Sequence, residues 1–311
     1  AVNLPEPARR SVEEVAQILK ELNADFVMQG VFRYKPCVDT CSRWSSQTEQ
    51  KKCEFKQYAY DLMADAVDIV KSETGAMIGG GTPLEFFWAE QWDSEVEFNK
   101  WLTRDDTWKL ALDPSSFGLS ITKEDLQKQF WYKMTGEKIT DPKSEMRYYL
   151  LDPTLPDVQN ILEDLVEAQI NCGIDFFWWD MLLLPVTMLL DLGVPVSHSA
   201  IEEVYKGCKE IASFTRKKCK LVGWAHPLLE KQYGLFTRYG AISLDVCVEI
   251  ISAHEVESMS LSSMKWDFIQ QYVHDIYGNI PLFARLDYAR GWTPMYVFCL
   301  LYTSPSPRDR G

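Results

Sequence analysis

Short apolar runs ending in a polar residue or glycine recur along the chain, separated by longer stretches with apolar positions three and four apart. The runs are ADFVMQGVF (24–32), GAMIGGG (75–81), MRYYLLD (146–152), GIDFFWWD (173–180), KLVGWAH (220–226), AISLDV (241–246) and IPLFARLD (280–287). Each has the length of a buried strand. Between them the helical period returns. SVEEVAQILKELN (11–23) opens on Ser11 with Glu14 three residues on, the signature of a capping box. Residues 51–73 carry Phe55, Tyr58, Leu62, Ala66 and Ile69 on one face. Pro156 to Cys172 carries Val158, Ile161, Leu162, Leu165, Val166 and Ile170, with a first-turn proline and Gly173 at its end. Residues 200–217 and 256–277 follow the same pattern.

Strands that alternate with helices predict βαβ units and a parallel sheet. A doubly wound sheet carries an early phosphate loop that opens a helix, and the glycines at 79–81 are followed by no helical period. The pattern therefore predicts an α/β fold, a TIM-type (β/α)8 barrel of one domain over residues 1–298, truncated before its eighth strand. Residues 82–145 are too long for one connection and are expected to form an insertion, or lid, over the barrel mouth after the second strand. Trp88, Trp92, Trp101, Trp108 and Trp131 crowd that insertion. The chain ends on CLLYTSPSPRDRG (299–311), whose first eleven residues resemble the translation of a sequencing-library adapter. A non-native tail is expected there. The opening AVNLPEPARR has no signal-like character and predicts an internal or processed start.

Active sites of such barrels lie at the carboxyl ends of the strands, and side chains alternate along a strand, so parity selects candidates. Asp180 shares parity with Trp178, Asp245 with Ser243, Asp287 with Arg285, and His226 with Trp224; Arg33 follows the first strand. These positions predict a polar ring above an aromatic floor. Asp180, Asp245 and Asp287 are the candidate catalytic carboxylates, and Arg33, Trp178, Trp224, His226 and Arg285 the candidate substrate contacts. Two carboxylates across a sugar, one ionised and one held protonated, are what glycoside cleavage requires. Flat Trp faces suit sugar rings. Glu85 and Glu90 are weaker candidates near the second strand.

The composition narrows the partners. A hydrophobic fraction of 46% with 25% charged residues is that of a globular protein. The net charge of −13 disfavours nucleic acid and anionic lipid. No apolar run reaches the roughly 20 residues of a membrane helix. Cys37, Cys41 and Cys53 have no standard zinc spacing and lack a fourth ligand, and no motif predicts a cofactor.

The segment LLDPTLPDVQNILEDLVEAQINCGIDFFWWDM resembles barrel glycoside hydrolases of the α-amylase-like kind, where such a phrase runs from the third strand through a helix into the fourth. DFVMQGVFRY and IPLFARLDYARGWTPMYVF are similar to related barrel hydrolases. The resemblance implies a carbohydrate substrate, a strand-four nucleophile at Asp180 and a glutamate closing strand five. At that last position KLVGWAH ends in His226 instead, with Glu230 four residues on. Two further readings stand beside it: Asp180, His226, Asp245 and Asp287 ligating a divalent cation in a lyase or hydrolase, and a non-catalytic carbohydrate-binding barrel.

Overall fold

The computed structural model describes residues 11–32, 61–83, 86–88, 91–92, 101–251, 255, 258 and 260–285. Arg33, Glu85, Glu90, Asp287, the three clustered cysteines and residues 299–311 lie outside the described residues, as does the side chain of Arg285.

Ten strands are found among the described residues. They are β1 (Phe26–Phe32), β2 (Met77–Pro83), β3 (Phe86–Trp88), β4 (Gln91–Trp92), β5 (Trp101–Leu102), β6 (Tyr148–Leu150), β7 (Phe176–Asp180), β8 (Lys220–Trp224), β9 (Val246–Ile250) and β10 (Leu282–Arg285). Six of them form one sheet in the order β1-β2-β7-β8-β9-β10, with every pair parallel. The order follows the chain without a reversal, which is barrel winding rather than the doubly wound kind. Long helices connect the strands: Asp61–Thr74 before β2, Pro156–Asn171 before β7, Ser199–Lys218 before β8 and Ser263–Tyr277 before β10. The first helix, Val12–Glu21, carries the capping box in both directions, Ser11 Oγ accepting from Glu14 N and Glu14 Oε2 from Ser11 N.

The sheet is curled, and the result is a partial barrel. Phe26 on β1 stacks on Phe176 of β7 at 4.1 Å between centroids, and on Phe283 of β10 at 5.2 Å. Side chains from the two edge strands therefore meet inside the curve. The inner face is a compact cluster of Phe176, Trp178, Val222, Val246 and Val248, with Phe26, Met28, Met77 and Trp224 packed against it. The outer face, with Ile78, Phe177, Trp179, Leu221 and Cys247, joins the larger core beneath the helices. There the Trp179 indole donates to Thr215 Oγ1 at 2.8 Å.

The glycines of β2 make the curl possible. A Cβ on Gly79 would fall within the Phe176 ring, and one on Gly80 would meet the Gln169 amide and Ile174. Gln169, fully buried, accepts from Gly81 N at 2.9 Å and donates to Gly81 O at 3.1 Å. The run is thus a packing device for a close ring and a close helix.

Two expected strands are corrected. MRYYLLD does not enter the main sheet: β6 pairs antiparallel with β3, and its Leu150 backbone is held by the Gln127 amide and by Leu112 N. GIDFFWWD is consequently third in the parallel sheet, beside β2, not fourth. The run AISLDV is not itself a strand. Ile242 and Leu244 pack into the helix-side core, and β9 begins only at Val246.

Gly79→Ala is expected to destabilise the protein by roughly 1–3 kcal/mol through overpacking. Urea unfolding measures it, and Phe176→Leu in the same chain should recover part of the loss.

Candidate functional site

Strand alternation puts Phe176, Trp178 and Asp180 on the inner face of β7, with Asp180 as the last residue of the strand. On β8 the same face carries Val222 and Trp224. The two strand ends meet through one hydrogen bond, the Trp224 Nε1–H donating to Asp180 Oδ1 at 3.1 Å. Trp178, fully buried below them, meets Trp224 edge-to-face at 4.9 Å and 81°. Asp180 is partly exposed, opposite Pro83 at the end of β2. A carboxylate above two indoles at the carboxyl edge of a curled parallel sheet can bind or attack a polar, flat-faced ligand such as a sugar.

The chain leaves both strands through left-handed backbone. Met181, directly after Asp180, has φ 47°, and His226, two residues after Trp224, has φ 55°. For side chains other than Gly, Asn or Asp this conformation costs of order 1 kcal/mol or more. Two such residues on adjacent strand ends flank the Asp180–Trp224 pair. His226 is followed by Pro227, the first residue of the Pro227–Tyr233 helix. It borders a cavity of about 20 Å³ behind the sheet with Trp179, Leu244, Phe236 and Tyr277. Burial lowers its pKa to about 4, so the ring is neutral at physiological pH. The parity argument for an inward His226 fails because the strand ends at Trp224 and the chain turns at Ala225 and His226.

Asp245 occupies the other end of the sheet. It precedes β9, its N–H donating to Leu221 O and its Oδ2 accepting from Leu221 N at 2.9 Å. The Arg216 guanidinium grips the same carboxylate at 3.1 Å. Asp175, preceding β7, repeats the arrangement. It donates its N–H to Ile78 O, accepts from Ile78 N at 2.8 Å and pairs with Lys71 at 2.7 Å. Leu221 is level with Phe177, so Asp180 lies three residues further along, roughly 10 Å, and two strands across, roughly another 10 Å. Two carboxylates that share a glycosidic bond stand only about 5–9.5 Å apart. Asp245 is therefore not brought to Asp180, and the expectation of a carboxyl-end position is corrected by the start of β9.

Glu230, four residues after His226, caps the Leu235–Tyr239 helix, accepting from Phe236 N at 2.6 Å and from Thr237 N and its hydroxyl. Periodicity gave no hint of Glu255. It lies after β9, 3% exposed, and holds Ser262 N, Trp266 Nε1 and Lys265 Nζ within 2.9 Å. These contacts fasten Glu255 to the start of the Ser263–Tyr277 helix. Trp108 and Trp131, two of the tryptophans of the 82–145 insertion, pack against Tyr149 and Tyr148 in the core. Among the described residues no group of three or more His, Cys, Asp or Glu could hold a metal ion, and Asp180, His226 and Asp245 are not gathered. Among them, too, no helix is long and apolar enough to cross a membrane.

No family model matches the chain, and no curated protein matches it. Among solved structures it is similar to the glycoside hydrolase domain of PelA from Pseudomonas aeruginosa, at 8% identity and TM-score 0.35, over 73% of this chain and 85% of that one. It is also similar to the PgaB (BpsB) glycoside hydrolase domain from Bordetella bronchiseptica, at 11% identity and TM-score 0.36, over 96% of this chain and 94% of that one.

Two outcomes follow from these positions. Asp245→Asn should lower stability by roughly 1 kcal/mol, measured by urea unfolding, since the half-exposed Arg216 pair and one backbone hydrogen bond are weakened. The depressed pKa of His226 means that the unfolded ring takes up a proton the folded ring refuses. Its contribution to stability is complete above pH 6.5 and is lost as pH falls toward 4. His226→Asn, which suits the left-handed backbone, should flatten that part of the stability-against-pH curve relative to the parent.

Proposed function

We propose that the chain is a glycoside hydrolase that cleaves a poly- or oligosaccharide at the carboxyl edge of its sheet, with Asp180 as the carboxylate at the reacting centre. The observation that carries this reading is the Asp180–Trp224 hydrogen bond above the buried Trp178, on the inner face of a curled parallel sheet. A carboxylate beside aromatic faces meets the two demands of sugar chemistry, a group that can carry charge toward an oxocarbenium-like transition state and flat apolar area for the ring. Left-handed backbone at Met181 and His226 supports it, because strain of this kind clusters at functional sites.

In this reading Asp180 is the nucleophile or base, and the acid that protonates the leaving group comes from another strand end. Asp287, two residues beyond β10, and Glu85 and Glu90, beyond β2, are the candidates. Asp245 is assigned to the architecture. Arg33 and Arg285, at the ends of the two edge strands, are read as substrate contacts. We read the six parallel strands as part of a (β/α)8 barrel, with residues 82–145 as a lid over the strand ends.

Asp180→Asn, close to isosteric, should reduce hydrolysis by roughly a hundred- to ten-thousandfold with unfolding unchanged. Release of reducing ends from soluble polysaccharides, or of nitrophenol from 4-nitrophenyl glycosides, measures it. Parent-like turnover in that variant would remove Asp180 from the mechanism. Saccharide binding by a parent that cleaves nothing would favour the non-catalytic alternative.

A further inference from the structure

Trp224 is expected from the sequence to be a stacking platform for substrate. Its surroundings suit a different task. Its polar edge is turned to Asp180 at 3.1 Å, and its ring is braced edge-on by the fully buried Trp178 at 4.9 Å. The next residue is tied on both sides: Ala225 N–H donates to Val248 O at 3.2 Å, and Ala225 O accepts from Tyr277 Oη at 3.2 Å. Left-handed His226 and then Pro227 turn the chain away at once. A ring held by a buried neighbour, an anchored backbone and a fixed turn has little freedom to follow a ligand. It can, however, hold a partner still.

We propose that Trp224 is a positioning residue whose indole N–H fixes the Asp180 carboxylate in one orientation at the carboxyl edge of the sheet. The inference rests on the reading of Asp180 given above and adds what orients it. A carboxylate at a strand end has a broad terminal torsion, and one donor on one oxygen selects a single plane for it. Reaction then starts from an aligned carboxylate, and alignment of this kind counts in the transition state more than in binding. The bond joins β7 to β8, so the orientation depends on their register, in which Trp178 lies opposite Val222.

Trp224→Phe keeps the aromatic body and deletes only the donor, and Asp180→Asn keeps an oxygen acceptor while removing the charge. In a spectrum of ¹⁵N-Trp-labelled protein, the indole cross-peak absent from Trp224→Phe identifies Trp224. That peak should move when Asp180→Asn is made. Trp224→Phe should lower kcat roughly ten- to hundredfold on the saccharide that the parent cleaves, with KM changed less than about threefold. A stationary cross-peak, an unchanged kcat, or a loss carried mainly by KM would each overturn the positioning role. If the parent cleaves and Trp224→Phe matches it, the role alone falls. A parent that turns over none of the 4-nitrophenyl glycosides or soluble polysaccharides removes both the role and the function it serves.

Discussion

The curl of the sheet depends on the absence of a side chain at one position. Gly79 leaves room for the Phe176 ring, and that ring stacks on Phe26, which in turn stacks on Phe283 from the far edge strand. A flat sheet would separate these edges by five strand spacings. Three stacked rings in the interior bring them into contact. Aromatic rings are large and rigid, so a small change in the space available to one of them is passed to the others. The geometry at the carboxyl edge follows from this packing. Trp178 sits one inward step above Phe176, and Asp180 one step above Trp178.

Much of this was legible in the pattern of apolar positions. Alternation along GIDFFWWD separates Trp178 on the inside from Trp179 on the helix side, and the helix between Pro156 and Asn171 is plain from its stripe. The failures have physical causes. MRYYLLD reads as a sheet strand because its residues are apolar, but a buried glutamine satisfies its backbone and an antiparallel partner takes its edge. Periodicity cannot detect a side chain that substitutes for a strand. Asp245 was misplaced because AISLDV is continuous in hydrophobicity across the boundary between a core-packed loop and β9. An acid that closes one apolar run also opens the next, and the sequence does not say which.

The distinction between the two ends organises the acidic residues. At the amino edge Asp175 and Asp245 each accept a backbone N–H from the preceding strand and face a cation from the helix before it. At the carboxyl edge Asp180 accepts from a tryptophan on the following strand. Acids paired with cations and backbone N–H groups are anchored to the sheet. The Asp180 carboxylate is instead tied sideways to the next strand by the edge of an indole.

The two amino-edge clamps share a further property. In each, one unit of the chain supplies the cation and the backbone amide, and the next sheet strand supplies the carboxylate. Neither half is satisfied alone: without the arriving aspartate, the Ile78 and Leu221 N–H groups lose a carboxylate acceptor and Lys71 and Arg216 lose an ion-pair partner. The repeated Asp therefore works as a latch, carried just ahead of one strand and closed on the strand before it. Through it neighbouring strands are held in register at the amino edge, independently of whatever the carboxyl edge binds.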